Sequence, residues 1–377
     1  MLTKHAYAIA ALAVLSMSQT QNVSAAEGEI ARSQIPVCGT MYAPPFGSPA
    51  PRRACETPIP RTYKPTHRGL GYDILDLESE ACFVPDSSYR LLDEILDRVT
   101  ARLTEPQQSG IGIADEARVI AISELTGDVL AELGFGLYIP TETLGDALVS
   151  RSASGMPPRY IFDCDTGSLI LLTVAEYLRM PASLVEITLN SGSLHNYVRW
   201  PLSDGRSLDW DTNGRGLCVS PKDQPTFQAQ SMSRSATMGY AATMRAPLWK
   251  KQKQYIRALS EYRQDMRDRP GHPSPFNNLA WLIVTTDFSE RESLRAEALQ
   301  AATQAVSLQR QAGAAAVTRE NLANYLDTLA CAYAYAGDYK NAIASEMEAV
   351  SLSANVEFRQ RQAMFANSPP NDCTGAQ

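Results

Sequence analysis

Apolar residues recur at helical spacing in three stretches of the first half of the chain. Leu91, Leu92, Ile95, Leu96, Val99 and Leu103 predict a helix over about 87–103, with Asp86 or Ser87 as its cap. Val119, Ile122, Leu125, Val129, Leu130 and Leu133 predict a second over about 114–133, stopped by Gly134. Leu169, Leu172, Thr173, Tyr177 and Leu178 predict a third over 166–178, ended by Arg179-Met180-Pro181. The period then changes. Leu184 to Leu189 is rich in β-branched residues and predicts a strand. His195–Trp200 and Arg206–Asp211 predict two more, joined by the turn-like Ser203-Asp204-Gly205. Helices followed by antiparallel strands predict an α+β domain, placed at 86–222.

From about 236 to 355 the chain is helical, Ala-rich and repetitive. Within Tyr325–Leu352, Leu326, Leu329, Ala330, Tyr333, Gly337, Tyr339, Ala342 and Ala349 occupy the positions of a tetratricopeptide repeat. The small residues let two helices approach closely, and the tyrosines fill the seam. Asn278-Leu279-Ala280-Trp281 through Ala305-Val306-Ser307-Leu308 reads as a second unit with a longer loop. Tyr255, Ala258, Tyr262 and Pro270 read as the second helix of a third. An all-α solenoid is therefore expected over 232–357, followed by a polar, disordered tail over 358–377 unless Cys373 ties it down. Prolines crowd 35–66, so 27–85 is expected to be a Pro/Cys-rich, extended segment.

The chain has 377 residues, 44 % of them hydrophobic, enough for two or more cores. Its net charge is −7, and no basic patch with interleaved aromatics is present, which argues against nucleic-acid binding. Lys4 and His5, the apolar run Ala6–Met17 and the small residues Val23-Ser24-Ala25-Ala26 read as a cleaved signal peptide over 1–26. A secreted or periplasmic protein without a membrane span is expected. All seven cysteines follow that segment, so an oxidising compartment leaves at least one thiol unpaired. None is spaced C-x-x-C, and no metal or other cofactor is expected.

Candidate chemistry is concentrated in Phe162-Asp163-Cys164-Asp165-Thr166, His195-Asn196-Tyr197 and Leu208-Asp209-Trp210-Asp211-Thr212. A thiol is mostly protonated at neutral pH, and the thiolate is the nucleophile. The helix start at Cys164 and a nearby imidazolium would lower its pKa, whereas Asp163 and Asp165 would raise it. Past residue 26 the histidines are His67, in the proline-rich segment, His272, in Gly-His-Pro between helical units, and His195. His195 is the natural partner. Asp209 and Asp211 share a strand face, and antiparallel pairing brings a carboxylate beside His195 to hold its tautomer. A Cys164–Cys218 disulfide is the alternative that would silence the site.

The order Cys-Asp-Thr at a helix start, His-Asn-Tyr-Val-Arg-Trp on a strand and Trp-Asp-Thr after the next resembles the transglutaminase-like superfamily. It is most similar to bacterial members with a tetratricopeptide tail. The resemblance spans roughly 86–222 plus the repeats. It implies a cysteine-proteinase-like fold, with Cys164 as nucleophile, His195 as general base and acid, and Asp211 as the orienting carboxylate; Asp209 is the second choice. The implied activity is hydrolysis or acyl transfer at a peptide or side-chain amide through a thioester, with the repeats recruiting a protein or peptide. The competing expectation is a non-catalytic, peptide-binding scaffold built on the same fold.

Overall fold

The computed structural model describes residues 35–39, 60–103, 114–137, 143–150, 158–189, 194–220, 224, 228–312, 319–367 and 373–374. The expected leader, most of the proline-rich stretch and Cys55 lie outside the described residues. The architecture is mixed α+β and mostly helical, with a small antiparallel sheet and a helical C-terminal region.

Three helices come first: α1 (Leu70–Ala81), α2 (Asp86–Arg102) and α3 (Glu116–Glu132). The second and third follow the apolar spacing. Asp115 caps α3 by accepting from the Arg118 N–H, and Gly134 ends it at φ +87°, where glycine is favoured. Helix α1 corrects the expectation of an irregular segment up to residue 85. Leu70, Ile74 and Leu75 enter the same core as Leu92 and Val174. A buried carboxylate interrupts that face and hides it from a periodicity reading. Glu78 accepts from the N–H groups of Leu144 at 3.0 Å and Gly145 at 2.6 Å, the first turn of α4 (Leu144–Ala147).

Strands β1 (Phe135–Leu137) and β2 (Tyr160–Phe162) pair in parallel, and β2 leads into α5 (Cys164–Tyr177). An antiparallel sheet follows in the order β3 (Ser183–Thr188), β4 (Leu194–Pro201), β5 (Ser207–Asp211), β6 (Gly216–Cys218). Glu186 stands opposite Asn196, Val198 opposite Trp210 and Arg199 opposite Asp209. Val198, Trp200 and Trp210 share the core of α5. Alternation sends His195 and Tyr197 to the other face, where Tyr197, Val185, Ile187, Cys38 and Cys218 form a small apolar cluster.

The helical region comprises α6 (Arg234–Lys251), α7 (Tyr255–Asp268), α8 (Pro273–Thr285), α9 (Arg295–Gln311), α10 (Arg319–Tyr335), α11 (Tyr339–Leu352) and α12 (Val356–Asn367). Its core is rich in alanine, with Ala280, Ala302, Ala330 and Ala342 buried beside Leu279 and Leu326. Helix α6 belongs to two cores, giving Tyr240 and Ala241 to the first and Ala246, Leu248 and Trp249 to the second. The tail expected to be polar from residue 358, unless Cys373 ties it down, carries helix α12. Phe358 and Phe365 are buried on it, and Cys373 beyond it is bonded to Cys331. No described helix is long and apolar enough to cross a membrane.

Candidate active site

The end of β2 delivers the chain to Asp163, which caps α5. Its carboxylate accepts from the Thr166 N–H at 3.1 Å and the Thr166 hydroxyl at 2.9 Å, while its own N–H donates to that hydroxyl at 3.0 Å. This reciprocal box makes Cys164 the first residue of the helix. Gly167 lets the end of β5 come close, since a Cβ there would lie 2.8 Å from Phe162 and 3.0 Å from the Thr212 hydroxyl.

His195 and Asp211 are both buried, and Nε2 of the imidazole lies 2.9 Å from Oδ2 of the carboxylate. The same Oδ2 accepts from the Gly39 N–H at 2.7 Å. Oδ1 accepts from the N–H groups of Asn213 at 3.0 Å and Gly214 at 3.3 Å. Burial opposes ionisation of Asp211, but these donors outweigh it and hold the carboxyl below its ordinary value. With Nε2 donating to Asp211, Nδ1 carries the imidazole lone pair. Asp209 is engaged elsewhere: Arg199 grips it with Nε at 2.7 Å and Nη2 at 2.8 Å, and the Ser220 hydroxyl donates to it at 3.0 Å.

Cys164 is partly exposed and is a free thiol. Cys218 is bonded to Cys38, so the silencing bridge to Cys164 is not made. Cys82 is disulfide-bonded as well. Sγ of Cys164 donates to Oδ1 of Asp165 at 3.4 Å and accepts from the backbone N–H of Asn196, the neighbour of His195. Among the described residues no hydrogen bond joins Cys164 to His195. Burial, then Asp165, then Asp163 push the thiol well above its ordinary pKa. Burial and the two carboxylates together therefore outweigh the Asn196 N–H, which favours the thiolate.

Asp165, expected from the sequence only as a charge beside the thiol, also links the site to Asn196 and Tyr240. Oδ1 of Asp165 accepts from the Asn196 side-chain amide at 2.5 Å, and the Tyr240 hydroxyl bonds to its carboxylate. Tyr240, on α6, also accepts from the Asn196 amide at 2.7 Å. Burial and the nearby Asp163 raise the Asp165 carboxyl to about 6. Its position next to Cys164 was the one signal for it; nothing local points to Tyr240 or Gly39.

A separate cavity of about 440 Å³ lies along Glu186, Ser233, Arg269, His272 and Gln311. Among the described residues no cluster of three or more His, Cys, Asp or Glu side chains is arranged to hold a metal.

No family model matches this chain, and no curated protein matches it. Among solved structures it has a slight similarity to the N-terminal domain of stress-induced protein-1 (STI-1) from C. elegans. The two are 18% identical over 36% of this chain and 99% of that chain, with a TM-score of 0.30.

Proposed function

We propose that this chain is an exported, transglutaminase-like cysteine hydrolase or acyltransferase acting on a peptide or side-chain amide. The observation that carries the reading is the buried His195–Asp211 bond, formed one residue from the N–H that touches Cys164. In this reaction His195 Nδ1 accepts the thiol proton as Sγ attacks the amide carbonyl. In this reading the oxyanion is served by the N–H groups of Cys164 and Asp165, which lie in the first turn of α5, where a helix leaves its N–H groups without intrahelical acceptors. The imidazolium then protonates the departing amine as the C–N bond breaks, leaving a thioester. Water, deprotonated by His195, releases the acid and restores the thiol; an amine in its place gives transamidation. Since the resting thiol is neutral, proton transfer accompanies attack instead of preceding it.

The paired helices α8–α9 and α10–α11, with buried Ala280, Ala302, Ala330, Ala342 and Ala349, support tetratricopeptide repeats. Their role in this reading is to recruit a protein or peptide substrate.

The raised thiol pKa supports a second reading, a peptide-binding scaffold without catalysis. Exposure to an activated acyl ester, followed by peptide-mapping mass spectrometry, separates the two. The hydrolase reading expects acylation at Cys164 that falls by about 10²–10⁴ in His195→Ala. No acylation, or acylation indifferent to His195, leaves the scaffold.

A further inference from the structure

The short segment 36–39 reaches the candidate site from far away in the sequence. Cys38 is bonded to Cys218 at the end of β6, with a Cα–Cα distance of 4.7 Å. Two backbone hydrogen bonds of 2.9 Å flank that bridge, from the Cys38 N–H to the Val219 carbonyl and from the Val219 N–H to the Pro36 carbonyl. Val37 and Val219 thus form a parallel β-bridge. Cys38 is fully buried and Cys218 nearly so, against Val185, Ile187 and Tyr197.

This anchorage places the next residue, Gly39, over the His195–Asp211 pair. Its N–H donates to the carboxylate oxygen that bonds His195. Its φ of +82° is one that glycine adopts without strain. A Cβ would overlap Leu189 Cδ2 and lie 3.2 Å from His195 Cδ2, so the missing side chain is what lets the segment lie flat on the imidazole. The Gly39 N–H fills the acceptor site on Oδ2 that His195 leaves, while Asn213 and Gly214 fill Oδ1. Every strong direction of the carboxylate is used, and the carboxylate has little freedom to rotate away from the imidazole.

We propose that Gly39 is a positioning residue for His195. Tied down by the Cys38–Cys218 bridge, it locks the Asp211 carboxylate and shields its bond to the imidazole. The inference rests on the hydrolase reading for its chemical purpose, but its physical content concerns His195 and Asp211 alone.

The test follows the ring N–H proton of His195 by NMR in the oxidised full chain, assigned by its absence in His195→Gln and Asp211→Asn. A buried, carboxylate-bonded ring proton resonates far downfield and exchanges slowly. The proposal expects this resonance to be lost to solvent exchange in Cys38→Ala/Cys218→Ala. It expects the same in Gly39→Ala, which keeps the bridge and displaces the segment, so misfolding of the first variant does not decide the matter. Survival of a protected resonance in Gly39→Ala overturns the proposal. Its absence from the oxidised parent removes the His195–Asp211 pair and the proposal with it. Neither result depends on Cys164, so failure of thiol acylation alone overturns the hydrolase reading and leaves the positioning role intact.

Discussion

The side-chain amide of Asn196 donates to Asp165 at 2.5 Å, tying the neighbour of His195 to the neighbour of Cys164. Strand β4 and the first turn of α5 are thereby held together by residues that flank the candidate catalytic pair. Burial of the thiol, joined by the carboxylate that this contact keeps beside it, gives a raised pKa at a helix start where a lowered one is the usual result.

Asp165→Asn removes that charge and keeps a comparable shape. The Cys164 pKa is expected to fall, with alkylation by iodoacetamide at pH 7 rising about threefold for each pKa unit recovered, since the gain in thiolate is partly offset by its lower nucleophilicity. The rate measured from pH 5 to 9 checks this; an unchanged profile would mean that Asp165 does not control the thiol.

Stability provides a second readout of Asp165. Its carboxyl rises from 3.8 to about 6 on folding, so folding favours the protonated form. The associated stabilisation is complete below 3.8 and is lost as pH rises through 6. Urea unfolding should therefore show Asp165→Asn gaining on the parent between pH 4 and pH 7.

Tyr240 couples the helical region to the site through Asn196 and Asp165. Tyr240→Phe leaves buried polar groups short of a partner, at a cost of about 1–3 kcal/mol. A fragment covering 86–222 lacks this residue, all of α6 and also α1, whose Leu70, Ile74 and Leu75 belong to the first core. It is expected to lose the sharp amide dispersion of a packed domain in NMR spectra, whereas a fragment beginning before α1 and including α6 should keep more of it.

In the helical region Glu346 is fully buried near Asp327, itself paired with Arg361. Burial, then the charge of Asp327, raises the Glu346 carboxyl from 4.5 to about 9. Its stabilising contribution is full below 4.5 and disappears as pH climbs to about 9. Glu346→Gln should flatten that decline, visible as a stability advantage over the parent that grows from pH 5 to pH 9.

The Cys331–Cys373 bridge closes a segment with a sequence separation of 42 residues. Cys373→Ala is expected to cost up to about 4 kcal/mol from the chain entropy restored to the unfolded state. Hydrogen exchange should quicken first in α12, whose Phe358 and Phe365 the bridge helps to keep packed.

Periodicity by itself determined the positions of α2, α3 and α5, the alternation of β4 and the helical character of the C-terminal region, because each is a local rhythm of apolar residues. It missed α1, where Glu78 occupies a buried face, and α12, where two phenylalanines sit in a polar sequence. The order of Cys164, His195 and Asp211 was legible as well. Tertiary structure alone decided that Asp211 bonds His195 while Asp209 is taken by Arg199. It alone joined Cys38 to Cys218, set Gly39 on Asp211 and brought Tyr240 to Asp165. Those contacts join residues far apart in the chain, and a hydrogen bond or disulfide depends on distances that no local repeat of residue types encodes.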